Sequence, residues 1–180
     1  MPTSPIHVVS RRRSADRIRA DFPDATIVDV TSRGAEPWVQ LSPFYPVGGL
    51  PVPGMPDHTS ASVEGVWQGL KVFEHADVDP SRFDVDTMRG LKRTVRRFGP
   101  VRGHRLGDRL LGYVEARQQI YLPTYRVVLA ERERDLVERI RGVGELVLLD
   151  YTTNGDLTDP RAPLSHAALI ARWLRDDWPH

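Results

Sequence analysis

Residues 41–74, LSPFYPVGGLPVPGMPDHTSASVEGVWQGLKVFE, decide how this chain is read. A Pro/Gly-rich loop carrying Phe44 and Tyr45 runs into a segment whose spacing predicts a helix, capped by Ser60 or Ser62 and reaching about Glu74. Glu64, Trp67, Gln68 and Lys71 recur at i, i+3, i+4 and i+7, which a helix places on one face. Val63, Val66, Leu70 and Phe73 fall on a different face and supply the core side. A carboxylate, an indole, an amide and an ammonium on one stripe, fed by an aromatic loop, predict a site for a polar ligand that carries a ring. The competing reading is a solvated helix face with a weak ion pair. Gly65 and Gly69 mark places where a backbone or a ligand can come close.

Working toward the N-terminus, Pro37 to Asp57 holds five further prolines and three glycines. That is too long for a plain connection, and it predicts a stiff functional loop. Ile6–Val9 and Thr26–Val30 read as strands flanking a helix over 14–22, which Ser14 caps and Pro23 stops. The order is β-α-β, with parallel strands if the crossover is right-handed. No GxGxxG follows the first strand, so a dinucleotide fingerprint is absent.

Toward the C-terminus, short helices are expected around Thr87–Arg93, over 107–121 and from Pro123 onward. Between them, KRTVRRFGPVRGHR is a basic stretch broken by glycines, suited to phosphate oxygens or to plain solvation. Leu146–Leu149 is a continuous apolar run that predicts a buried strand ending at Asp150. Ligands often sit at the carboxyl ends of such strands, so Asp150 is a candidate general acid or base, or simply a turn aspartate. Leu164–Trp173 predicts a final helix, with His166 near its start in a structural role.

Composition narrows the function classes. The 180 residues are 40% hydrophobic and 27% charged, with a net charge of +1, which gives no strong field for nucleic acid or membrane. There is no cysteine, which excludes disulfides, thiolate catalysis and Cys-zinc sites. The six histidines show neither HxH nor HExxH spacing, so no metal site is expected. No apolar run approaches ~18 residues and no secretory h-region follows the N-terminal charges, so a cytoplasmic protein is expected.

Ser42-Pro43-Phe44-Tyr45-Pro46, followed by Ser62-Val63-Glu64, Gln68 and Lys71, resembles the NADAR/YbiA-like family. Its members carry a loop similar to S-N-F-Y-P and then a helix similar to S-V-E-H-x-Y-Q-x-x-K. Here Pro43 stands for the asparagine, Gly65 for the histidine and Trp67 for the aromatic. The stretch from Leu91 to Arg105, LLGYVEARQQIYLPTYRVVL, LVERI, LLDYTTNGDL and PLSHAALIARWL match later parts of the family more loosely, and the W-G of its aspartate turn is missing.

The resemblance covers roughly 37–175. It implies an α+β fold, a mainly helical single domain with a small sheet over 37–180, and leaves residues 1–36 as a β-α-β extension packed on it. It also implies an N-glycosidase that cleaves the C1′–N bond of a phosphoribosylated or ADP-ribosylated base without cofactor or metal. Nucleic acid enters only as carrier of the modified base, and no membrane is involved. Glu64, Lys71 and Asp150 are the expected catalytic residues. Phe44, Tyr45, Trp67 and Gln68 would bind the substrate, with Tyr45 and Trp67 sandwiching the base, and Arg93, Arg97 and Arg102 would hold the phosphate. The alternative is a module that binds a nucleotide or ADP-ribose without cleaving it.

Overall fold

The strand β8 (Leu146–Asp150) organises the two ends of the chain. In the computed structural model, which describes residues 4–180, it lies between β1 (Ile6–Ser10) and β2 (Thr26–Asp29) and is parallel to both. The predicted β-α-β is therefore split, because β8 enters between its two strands. Packing divides the described residues accordingly into two compact units, 4–42 together with 133–180, and 43–132. An N-terminal extension ending at 36 beside a domain over 37–180 is not the division the structure has.

In the first unit, α1 (Ala15–Asp21) begins as expected with Ser14 accepting from the Arg17 amide. Its Ile18 packs with Val9 and Val147, and Phe22, Ile27 and Leu149 close that cluster. Alternate residues Val28, Leu146 and Leu148 are also buried, which is why β8 reads as an unbroken apolar run. The helices α6 (Arg134–Arg141) and α7 (His166–Leu174) complete the unit, with α7 packing on β1 and β8.

The second unit is built around α2 (Val63–Leu70). A hairpin of β3 (Leu50–Val52) and β4 (Met55–Ser60), turning at Pro53-Gly54, leads into it. That hairpin occupies much of the stretch expected to be a functional loop. After α2 the chain becomes extended as β5 (Lys71–Phe73). A short α3 (Val95–Phe98) precedes β6 (Val101–Leu106) and β7 (Arg109–Leu111), and the three strands form an antiparallel sheet in the order β5-β6-β7. A helical run follows as α4 (Tyr113–Ala116) and α5 (Leu122–Val127), with π-helical turns at Arg117–Tyr121 and Val128–Arg132. Val66 and Leu70 of α2 join Val52, Phe83, Leu111, Ala116 and Ile120 in one core.

Three helical expectations change here. The α2 helix stops at Leu70 rather than Glu74, 87–93 is not helical, and 101–111 is a β-hairpin where a helix was expected from 107. The α+β class stands, with helices beside small sheets. No described helix is long and apolar enough to cross a membrane.

Candidate functional site

The first turn of α2 is fixed to the loop before it. Ser62 is the N-cap and its Oγ accepts from the Gly65 amide at 2.9 Å. The Glu64 amide donates to the Pro43 carbonyl at 2.9 Å, and the Gly48 amide donates to Ala61. Pro43-Phe44-Tyr45 is thus held against the helix that carries Glu64. An ideal β-carbon at Gly65 would lie 2.6 Å from Ser60 Oγ and 2.8 Å from the Arg82 carbonyl. At Gly69 it would meet the Phe83 ring. Both glycines therefore admit the segment 80–83 of the same chain.

Glu64, Gln68 and Arg93 form a continuous polar chain. Gln68 Nε2 donates to Glu64 Oε1 at 2.9 Å, and Gln68 Oε1 accepts from the Arg93 amide at 3.0 Å. All three residues are buried. The Arg93 guanidinium donates to the carbonyls of Gln68, Lys71 and Asp77 at 3.1, 2.6 and 2.6 Å. Two of those carbonyls lie where α2 ends, so a cation caps its C-terminus. The terminal nitrogens of Arg93 are spent on backbone, whereas a phosphate role was expected.

Lys71 does not sit on the helix. It is the C-cap, with extended backbone, and opens β5. Its half-buried side chain still lies within the field of Glu64. Burial holds the Lys71 ammonium below its ordinary pKa, Arg93 and Lys92 push the same way, and Glu64 opposes them. Burial pushes the Glu64 carboxyl up, against the Gln68 hydrogen bond and the charges of Lys71 and Lys92. Burial thus moves the acid and the amine each toward neutrality, while their mutual attraction opposes both shifts.

A cleft of about 350 Å³ opens beside Lys71, lined by Trp67, Val101, Arg102, Gly103, His104 and Tyr113. Trp67 lies 3.8 Å from the His104 ring centroid, 6.1 Å from that of Tyr113 and 5.7 Å from that of Tyr121. The buried Arg117 guanidinium sits 4.3 Å from the Tyr113 ring centroid. The cleft therefore combines aromatic walls with a lysine and an arginine, a chemistry suited to a planar ring bearing an anionic group.

Of the expected residues, Glu64 and Gln68 are hydrogen-bonded and lie in the field of Lys71, and Trp67, Lys71 and Arg102 line the cleft. Arg102 is also paired with Glu74 at 2.9 Å. Phe44 is half-buried with Lys92 Nζ 5.7 Å from its ring, and Tyr45 accepts the Val47 amide through its carbonyl. Arg97 is exposed and lies over Phe98.

Asp150 belongs to the other unit. One oxygen accepts from Ser165 Oγ at 2.8 Å and lies 3.1 Å from His166 Nδ1, and the other accepts the Tyr151 amide. His104 and Tyr113 were not singled out from the sequence. His104 was hidden in a stretch read only for its arginines, and Tyr113 in a segment read as helical from Gly107.

The chain belongs to the DUF6939 family, a family of unknown function whose profile matches residues 10–170. No curated protein and no solved structure matches the chain. The family match starts at Ser10, the last residue of β1, so it takes in 10–36 of the segment that the NADAR/YbiA-like resemblance leaves out.

Proposed function

We propose that this member of the DUF6939 family is an N-glycosidase acting on a phosphoribosylated or ADP-ribosylated base. The observation that carries the reading is Glu64, a buried carboxyl with its pKa raised by burial, held by Gln68 and lying in the field of a half-buried lysine. Breaking a C1′–N bond builds positive charge on the ribose and negative charge on the departing nitrogen. A protonated Glu64 can give its proton to that nitrogen, and the carboxylate it leaves stabilises the cationic sugar. Water then adds to C1′ and returns a proton to Glu64, so the bond that breaks and the proton that moves are balanced.

Lys71, with its ammonium disfavoured, supports the same step as a charge near phosphate, or takes the first place of water as a neutral amine that bonds to C1′ as the base leaves, loses a proton to solvent, and is released when water adds to C1′. Trp67 and Tyr113 offer faces for a base, and Arg102 offers a guanidinium at the same cleft. The linked motifs at 42–46 and 62–71 support this reading through their resemblance to NADAR/YbiA-like proteins.

A second reading has its own support. Gly65 stands where the resemblance expects histidine, and the Arg82 carbonyl fills the space. A module that binds the nucleotide without cleaving it would keep the cleft and lose the chemistry. Incubation with ribose-5-phosphate pyrimidines, NAD, ADP-ribose and ADP-ribosylated guanine DNA, scored by mass spectrometry for free base, separates the two. Release supports the glycosidase; saturable binding of intact ligand supports the module.

A further inference from the structure

Arg117 is 2% exposed and opens the π-helical turn that follows α4, and its guanidinium carbon lies over the Tyr113 ring, 4.3 Å from the centroid. A guanidinium keeps its proton in any protein setting, so this is a permanent positive charge away from bulk water. Tyr113 is 41% exposed and lines the cleft together with Val101, which is 44% exposed. Exposed apolar side chains beside the Trp67 indole are surfaces that a flat ring would cover. Lys71 and Arg102 line the same cleft, and among the described residues no carboxylate does, although Glu74 pairs with Arg102.

A ring stacked on the face of Tyr113 opposite Arg117 comes within about 8 Å of the guanidinium, from 4.3 Å on one side and roughly 3.5–4 Å of van der Waals contact on the other. At that separation, in a site that excludes water, two like charges still repel appreciably. The face of a tyrosine ring ordinarily attracts a cation through its quadrupole. Here Arg117 already holds that attraction, so a second cation meets the repulsion without the full gain.

We propose that Arg117, acting through Tyr113, makes the cleft reject rings that carry a positive charge, so that its ligand is a nucleoside of a neutral base and not of a pyridinium. The proposal rests on the nucleoside-type ligand argued above and narrows its class. The acid assigned to Glu64 agrees with it. A base bonded to C1′ through a neutral nitrogen needs a proton if it is to leave uncharged, and a carboxyl supplies one. A pyridinium takes the bonding pair from C1′ and leaves uncharged with no acid at all. NAD carries such a ring and is therefore the member of the riboside panel that the cleft should refuse.

The test is calorimetry at neutral pH on the full chain with two pairs of probes. N6-methyladenosine and 1-methyladenosine are isomers, of which the second carries a positive ring. Reduced and oxidised nicotinamide mononucleotide differ in ring charge by one hydride. Wild type should bind the neutral member of at least one pair about tenfold or more tighter than the cation. Folded Arg117→Met should lose most of that preference, and Arg117→Lys, which keeps the charge, should retain it. A purely structural role for Arg117 would weaken both members of a pair alike.

Equal binding within each pair by wild type overturns the proposal, as does tighter binding of either cation or failure to bind any of the four. So does a preference that is unchanged in Arg117→Met or lost in Arg117→Lys. Should methionine not fold there, Arg117→Gln takes its place and must lose the preference; should neither fold, the wild-type pairs and Arg117→Lys decide. Base release is scored separately. A charge preference without release leaves Arg117 standing and ends the glycosidase reading; release that ignores ring charge does the reverse.

Discussion

Gln68 donates to the Glu64 carboxyl through its amide nitrogen and accepts the Arg93 backbone amide through its amide oxygen. One side chain thereby couples the proposed catalytic carboxyl to the element that caps the helix carrying it. Gln68→Leu removes both bonds and leaves a buried amide and a buried carboxyl oxygen unpaired. The expected loss is about 2–4 kcal/mol, from roughly 1–3 kcal/mol for each stranded group less the apolar gain. Urea unfolding of the variant against wild type measures it. A loss under 0.5 kcal/mol by that measure, about the size of an ordinary surface substitution, would remove Gln68 as the link.

Arg93 makes three bonds to carbonyls with a planar fork, and a lysine ammonium cannot reproduce that geometry. Both Arg93→Lys and Arg93→Met should destabilise, by about 2 kcal/mol or more given that bonds to charged groups are worth roughly 1.5–3 kcal/mol each. A thermal melt of Arg93→Lys indistinguishable from wild type would contradict the capping role.

Gly65 lies against Ser60 and Arg82, so any side chain there is expected to cost about 1–3 kcal/mol. Gly65→His, which restores the residue of the resembled motif, should lower the melting temperature and yield no gain in base release. Wild-type stability in that variant would mean that the segment 80–83 yields easily.

Much of the first unit was legible. Ser14 caps where its sequence position suggests, and the run 146–149 is a strand with Leu146, Val147 and Leu148 buried. The second unit hid its sheet. Val72 and Phe73 continue the apolar spacing of α2, so the change from helix to strand at Lys71 leaves no trace in periodicity. The strand 101–106 reads as part of a basic stretch because it carries Arg102 and Arg105 and no alternation of apolar residues. Its turn, Gly107-Asp108, was the available signal, and Gly107 does adopt a positive φ of 61°. The stripe of Glu64, Trp67 and Gln68 was visible from spacing alone, whereas His104 reaches the cleft only through strand pairing.

Asp150 and His166 set the pH dependence of the first unit. Burial pushes the His166 pKa down, but the Asp150 charge, their hydrogen bond and the Val30 carbonyl raise it overall. Burial pushes Asp150 up, and His166, Ser165 and the Ala167 amide lower it overall. The stability from His166 is therefore complete below about pH 6.5 and is lost as pH rises through its higher folded value. That from Asp150 is complete above about pH 4 and is lost as pH falls through its lower folded value. Urea midpoints should fall on both sides of that window. His166→Gln should flatten the alkaline side and cost up to about 3 kcal/mol, since it removes the cation facing a buried carboxylate that keeps its Ser165 and amide donors. An alkaline limb that persists unchanged in His166→Gln would contradict the assignment.

The central claim is that Glu64 acts on the C1′–N bond. Its most direct test is base release by wild type and Glu64→Gln, in folded protein, across the riboside panel. The account predicts release from one substrate class and a fall of about 10²–10⁴ on losing the acid. Near-wild-type release by Glu64→Gln, or no release from any riboside by wild type, would contradict it.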